Sequence, residues 1–322
     1  MQIVTEYAIL YIIIRPEEFM TIMTDFQQKI ADLLPGIQFR MNESLAKHTS
    51  FRIGGAAEVM VFPKTADELG KILKMSAFLD CKFAILGAGT NILAPDEGIP
   101  GLTLCLKDLE DKMEQIDDTH IRVGAGVSMA RAAQFAANNN LSGLEFAHGI
   151  PGSVGGGVYM NAGAYGGEIA QVCSRVGIMN ADGTMRTLQG EEMDFSYRHS
   201  RLEDDGGFVL WAEFSLTHKP GEEIKATMQD LQSRRRASQP LDLPSAGSAF
   251  KRPVGGYAAE LIDRTGLKGF RVGDAAISEK HAGFAVNLGN ATARDVKMLL
   301  QQVADKVLDN TGIRLEPEIR IW

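Results

Sequence analysis

Residues 146–167, FAHGIPGSVGGGVYMNAGAYGG, constrain this chain more than any other stretch. Eight of these 22 residues are glycine, and none is Lys, Arg, Asp or Glu. Glycine inside a helix or strand costs roughly 0.5–1 kcal/mol relative to alanine. So dense a run is poor material for an ordinary core element and predicts backbone that something approaches closely. Free N–H groups in such turns form anion-binding nests. A flexible linker would be polar and would lack large apolar residues. Here Val, Tyr, Met and Phe are interleaved with the glycines, which predicts an ordered, packed loop.

The rest of the chain sets limits on what such a loop could serve. Its 322 residues, 45% hydrophobic and 23% charged, suit a globular protein of two to three domains. A net charge of −8 opposes sequence-independent binding to nucleic acid, so an anionic ligand needs a local site. Cys81, Cys105 and Cys173 form no CxxC pair and are expected to be buried thiols in a reducing compartment. The six histidines form no HxxxH or HExxH pair, so no metal site is expected. The apolar run Tyr7–Ile14 is far shorter than the about 20 residues a membrane span needs, and it has no basic flank or cleavage signal. No membrane association is expected, and residues 1–40 are expected to form a peripheral extension and a helix over MTDFQQKIADLL.

Elsewhere the periodicities are regular. Thr65–Asp80 carries a Thr65/Glu68 capping box and an apolar stripe at Leu69, Ile72, Leu73 and Ala77, predicting a helix. Phe83–Leu86 predicts a short buried strand running into Gly87-Ala88-Gly89-Thr90-Asn91. Strands are expected at Leu102–Leu106, His120–Val123 and Phe208–Leu216, with a helix at Ser128–Asn138. Val176–Leu188 predicts a hairpin about Asp182-Gly183. Composition shifts at Lys219-Pro220-Gly221, where a domain boundary is expected near residue 220. Beyond it come helices at Glu222–Arg236, Tyr257–Thr265 and Thr292–Leu308, and strands at Ala282–Leu288 and the terminal LEPEIRIW.

Four segments could carry chemistry. Gly87–Asn91 follows a strand, as a phosphate-cradling turn does. Ile92 stands where a dinucleotide fingerprint has its third glycine, and no Gly-Lys-Ser/Thr of a P-loop follows. A plain tight turn stays open for it, but with the loop at 149–167 it could grip a long ligand with a central pyrophosphate. In DFSYRHSR (194–201), Arg198 suits bidentate carboxylate recognition, while Arg201 suits a solvated turn. PSAGSAFKRP (244–253) reads either as an interdomain loop or as a positioned serine beside the cations Lys251 and Arg252. Serine donates a proton only to a strongly basic centre held at hydrogen-bond distance. Glu316 and Glu318 share a face if the chain there is an extended strand. They read equally as edge carboxylates that discourage strand pairing.

Taken in order, HTSFRIGG (48–55), ILGAGTNIL (85–93), GIPGSVGGGVYMNAGAYGGE (149–168), YRHSR (197–201), GSAFKRP (247–253), SEKHAGFAVN (278–287) and LEPEIR (315–320) form a recognisable series. The series resembles the UDP-N-acetylenolpyruvoylglucosamine reductases, flavoenzymes of bacterial peptidoglycan precursor synthesis. The resemblance covers about Asn42–Trp322. It implies an α+β fold with an FAD-binding domain of the vanillyl-alcohol-oxidase type at 41–219. Two α+β subdomains, about 41–106 and 107–219, would sandwich FAD, and a C-terminal α+β domain at 220–322 would bind substrate.

The resemblance further implies NADPH as co-substrate and a UDP-sugar enolpyruvyl ether as the small-molecule substrate. Hydride would pass from flavin N5 to C3 of the enol ether, and a proton to C2. By motif match Ser248 is the proton donor, while Arg198 and Glu318 polarise the carboxylate and stabilise the enol. Glu318 must then be protonated or have its charge shared. The match gives the cofactor Arg52, Gly87, Ala88, Gly89, Thr90, Asn91, Ile92, Gly149, Ile150, Pro151, Ser153, Gly155, Gly156, Asn161 and Gly163. It gives the substrate Tyr165, Lys251, Arg252 and His281. A cytoplasmic monomer is expected.

Two departures stand out. Only the short acidic Leu202-Glu203-Asp204-Asp205 follows the YRHSR motif, where longer members of the family carry an insertion bearing a tyrosine. Arg252 stands where that longer form has asparagine. The chain therefore resembles the shorter subtype, and uridine contacts are not carried over. A flavin oxidase of the same superfamily and a non-catalytic nucleotide-sugar binding protein are the alternatives. The GSAFKRP and LEPEIR motifs argue against the oxidase.

Overall fold

The computed structural model describes residues 24–322, and the described residues are organised around three sheets of four or five strands, with three two-stranded pairings besides, and two main hydrophobic cores with two smaller clusters. The Tyr7–Ile14 run lies outside the described residues. Helix α1 (Asp25–Leu33) opens on a Thr24–Gln27 capping box and buries Ile30. The first sheet has the strand order Phe39–Ser44, Ala56–Val61, Ile99–Cys105, Phe83–Leu86. Helix α2 (Ala66–Phe78) is the crossover that lets Ala56–Val61 and Phe83–Leu86 both run parallel to Ile99–Cys105. Thr65 Oγ1 accepts the Glu68 amide at 3.2 Å, but the Glu68 carboxylate takes the Lys64 amide at 2.7 Å. Only half of the expected capping box therefore forms. Phe83–Leu86 is an edge strand with one neighbour, so Ile85 is 43% exposed and the expected buried strand is half-buried.

The second sheet is antiparallel, in the order Met185–Gln189, Cys173–Met179, Phe208–Ser215, His120–Gly124, Met113–Gln115. Helix α3 (Met129–Asn138) packs with it, capped by Ser128. The glycine run does not remain a loop. Ser153 caps a six-residue helix, α4 (Val154–Tyr159), which holds three of the glycines. A Cβ on Gly155 would lie 3.0 Å from the Ala125 Cβ, and one on Gly157 2.7 Å from the Met129 Sδ. The helix sits so close to its neighbours that glycine's packing advantage outweighs its entropic cost.

Helix α5 (Leu202–Asp205) forms the acidic connection, and α6 (Gly221–Ser238) follows the second sheet. The two buried residues of α6, Ile224 and Met228, belong to the first core. That core serves both sheets, joining Val59 and Leu102 to Ile121, Val176 and Phe214. The three cysteines are free, and burial pushes the thiols of Cys105 and Cys173 up to about 11 and about 12.

The third sheet is antiparallel, in the order Ser245–Ser248, Phe284–Asn287, Ala275–Ile277, Arg271–Val272. Helix α7 (Ala258–Arg264) and helix α8 (Ala293–Thr311) cover it. The α8 stripe Val296, Leu299, Leu300, Val303 and Val307 is buried as its spacing predicts, each residue contributing about 1.5–3 kcal/mol of transfer free energy. The two halves interlock. Phe51, Ile53 and Leu93 of the N-terminal half lie in the C-terminal core. The Asp96 carboxylate accepts the Ala293 and Arg294 amides at 2.7 and 3.0 Å, capping α8 from the other half. Among the described residues no helix is long and apolar enough to cross a membrane.

Candidate active site

Two glycine loops meet where the first two sheets come together. Thr90 Oγ1 donates to the Pro151 carbonyl at 3.1 Å and so ties one loop to the other. The inner side of the Gly87–Asn91 turn is closed, since a Cβ on Gly89 would collide with the His48 carbonyl. Its outer side is open. At Gly87 and at Gly156 a Cβ would meet nothing nearer than the Ser153 hydroxyl, 3.5 Å away. The backbone amides of residues 87–91, and those of Gly152 and Ser153, donate to no protein acceptor among the described residues. Room beside glycine and a row of free N–H groups together fit a phosphate-bearing cofactor.

The remaining residues expected at the cofactor divide into two groups. Arg52, at φ 55°, is exposed, and Gly149 lies against Arg235 and Gln232 of α6. Asn161 and Gly163 have their polar groups engaged elsewhere. Asn161 is 1% exposed, donating to the Ser196 carbonyl at 3.0 Å and accepting the Ala170 amide at 2.9 Å. The Gly163 carbonyl accepts Arg198 Nη2 at 3.3 Å. Both therefore brace Arg198.

Arg198 sits in a tight turn closed by Ser196 N to His199 O at 3.1 Å and His199 N to Ser196 O at 3.2 Å. Its φ of 57° is in the left-handed region, at a cost of roughly 1–2 kcal/mol for a residue with a Cβ. That conformation aims the guanidinium across the domain junction. Arg198 Nε donates to Glu318 Oε1 at 2.6 Å, with the side chains 22% and 11% exposed. The charge of Glu318 is thus shared with Arg198, one of the two conditions its proposed role set.

A short ladder brings the serine motif to the same place. Glu318 N donates to Ala249 O at 2.9 Å and Lys251 N to Glu316 O at 2.8 Å, with Phe250 bridging Pro317. Half-buried Ser248 immediately precedes Ala249, the partner of Glu318, and stands outside the lining of the adjacent cleft. A cleft of about 260 Å³ opens here, with Met160, Arg198, Lys251, Glu318 and Arg320 in its lining. Glu316 and Glu318 do not share the expected face. Glu316 is 72% exposed and lies 3.8 Å from Lys251 Nζ. Around Pro317 the chain makes an isolated bridge, and regular strand covers only Arg320–Ile321, so the period of two does not apply.

The expected substrate residues surround this cleft at different distances. Lys251 lines it. Arg252 stacks over the Tyr257 ring at 4.4 Å, and its amide donates to Tyr197 Oη at 3.1 Å. His281 stands behind, edge-on to Phe284, the residue paired with Ser248. Its Nδ1 accepts the Gly283 amide at 3.1 Å, which leaves the proton on Nε2, and burial lowers its pKa. Tyr165 is 46% exposed at the tip of the Gly163–Glu168 hairpin, apart from the cleft lining. Motif reasoning placed Arg320 within LEPEIR and Glu203 within the acidic connection but gave neither a role; their forked ion pair flanks Arg198 and Glu318. Separated by 117 positions, they offer no spacing to detect.

This geometry has counterparts in known proteins. Residues 57–189 match the family model described as FAD binding domain. Residues 239–322 match the C-terminal domain of UDP-N-acetylenolpyruvoylglucosamine reductase. Over 307 residues the chain is 44% identical to the reductase of that name from Agathobacter rectalis, covering 92% of this chain and 98% of the relative. The chain belongs to the UDP-N-acetylenolpyruvoylglucosamine reductase family. A family member from Streptococcus pneumoniae is 40% identical over 295 residues, covering 92% of this chain and 97% of its own length. The crystal structure of the reductase from Thermus caldophilus superposes with a TM-score of 0.73 at 36% identity, covering 89% of this chain and 98% of that one. The FAD-binding match holds both glycine loops, Gly87–Asn91 and 149–156. As a family member the chain is a flavin-dependent oxidoreductase. The C-terminal family domain begins at residue 239, directly after α6, the helix whose buried residues belong to the first core.

Proposed function

We propose that this chain catalyses the NADPH-dependent reduction of UDP-N-acetylglucosamine enolpyruvate to UDP-N-acetylmuramate in the cleft lined by Arg198 and Glu318, with Ser248 on the neighbouring segment. One observation carries this reading. The 2.6 Å contact between Arg198 and Glu318 joins the FAD-binding half to the C-terminal strand, whose Glu318 amide pairs with Ala249, the residue that follows Ser248. The amides of residues 87–91 and 152–153 and Arg52 would hold FAD, which, once reduced by NADPH, would supply the hydride for such a reduction.

The protein's own groups do the rest. Arg198 binds the enolpyruvyl carboxylate, where negative charge builds as C3 gains hydride. A desolvated guanidinium fixed in advance is the kind of group that most lowers such a barrier. Glu318 orients the guanidinium and tempers its charge. Ser248 holds a proton for C2, a carbon basic enough in the enolate to take it from an alcohol. Lys251 and Arg252 offer cations to the diphosphate, while His281 and Tyr165 complete the surroundings of the sugar nucleotide. The acidic α5 stands in place of the longer insertion, which makes this the shorter subtype. The enzyme acts as a monomer in the cytoplasm.

The purified protein should be yellow, absorbing near about 450 nm as oxidised flavins do. Beyond the single equivalent that reduces the flavin, it should turn over NADPH only when the enolpyruvyl sugar nucleotide is present. A colourless protein that cannot be loaded with FAD contradicts the proposal. So does oxygen uptake that proceeds without the sugar nucleotide.

A further inference from the structure

We infer that Glu203 and Arg320 form a clamp across the domain junction that holds the Arg198 turn in register with Glu318, which makes Glu203 a positioning residue. The inference rests on the reaction proposed above. Arg320 Nη1 donates to Glu203 Oε1 at 2.6 Å and Nη2 to Oε2 at 2.5 Å, the paired fork that fixes direction as well as distance. Glu203 lies five residues after Arg198, and Arg320 two residues after Glu318. The two ion pairs therefore stand side by side between the same two chain segments. One pair alone is a pivot. Two pairs fix the angle between the segments.

Both ends of the clamp are themselves anchored. Arg320 N donates to Asn91 O at 3.0 Å, and Asn91 Nδ2 to Glu318 O at 3.3 Å, so the terminal strand is seated on the cofactor turn. On the other side Glu203 Oε2 lies 3.4 Å from His199 Nδ1, and Asp204 Oδ2 lies 3.1 Å from His199 Nε2. His199 closes the turn that holds Arg198 in its left-handed conformation, and such conformations persist only where neighbours over-determine them. Arg320 holds the Glu203 carboxyl below its ordinary pKa, and Glu203 raises that of Arg320. The side chains are 29% and 38% exposed, so the pair adds little to global stability and its contribution is geometric.

The test uses the FAD-loaded protein, with Glu203→Gln, the single reversals Glu203→Arg and Arg320→Glu, the exchange that combines these two, and Arg198→Ala as reference. Flavin bleaching by NADPH should keep its wild-type rate in Glu203→Gln. The turnover number with the enolpyruvyl substrate should fall about tenfold, more than KM changes, because the reacting groups are misplaced rather than lost. The charge exchange should recover most of what either single reversal loses. In the apo-protein, amide exchange at residues 196–199 should quicken in Glu203→Gln and return towards wild type in the exchanged pair. Wild-type turnover in Glu203→Gln, or an exchanged pair no better than the single reversals, overturns the clamp. If Arg198→Ala also turns over normally, the reaction assignment itself falls.

Discussion

Backbone strain and charge meet at Arg198. The residue accepts a left-handed φ because Asn161, Gly163 and Glu318 each hold part of its turn or its guanidinium. Arg198→Lys keeps the charge but loses the planar fork, and kcat should fall by about 10²–10³ in steady-state assays, the usual cost of removing such a donor. Glu318→Gln removes a charged hydrogen bond of about 1.5–3 kcal/mol and should slow turnover accordingly while flavin still loads. Away from the cleft, the His48 hydrogen bond holds the Glu43 carboxyl below its ordinary pKa, with Arg40 assisting against the cost of burial. That contribution is present above the unfolded value of about 4.3 and is lost as the pH falls through the lower folded value. Thermal melting followed against pH should therefore show a shallower acid limb in Glu43→Gln than in the parent.

At the scale of elements, α8 and the glycine run show what local sequence carries. The helix α8 was legible because its apolar stripe depends on residues within a few turns of each other. The Asp96 carboxylate at its N-terminus was not, being 197 positions from Ala293. Asp96→Ala should cost about 1 kcal/mol, the usual worth of an N-cap, and lower the denaturation midpoint. The glycine run announced close approach, and the two-loop arrangement followed from motif order. That its centre is the helix α4 was hidden, because the reason lies in Ala125 and Met129 on neighbouring elements. The Glu316/Glu318 alternation failed for the opposite cause, since a strand period was applied to a stretch that bridges at one residue only. Arg198, Ser248 and Glu318 were singled out through family motifs, and the Ala249–Glu318 ladder, which brings the segments of the last two together, lies in no local pattern. Arg320 stood in the LEPEIR motif and Glu203 in the acidic connection, but nothing in spacing or pattern showed that the two pair.

Across the whole molecule, the proposed function puts the chemistry at a junction. The FAD-binding half presents Arg198 and the amide nest. The C-terminal half presents Ser248 and Glu318. Phe51, Ile53 and Leu93 run from the first half into the second core and hold the halves together. The consequence is a division of labour. Cofactor reduction by NADPH should depend on the first half, and delivery of the proton to C2 on a residue of the second. Rapid mixing at about 450 nm, run on wild type and Ser248→Ala, separates these steps. Bleaching by NADPH should be the same in both proteins. Recovery on adding the enolpyruvyl sugar nucleotide should be slower in the variant by about 10²–10⁴-fold, the range of a lost general acid. Equal recovery in both proteins, or bleaching that fails in the variant, would contradict the account.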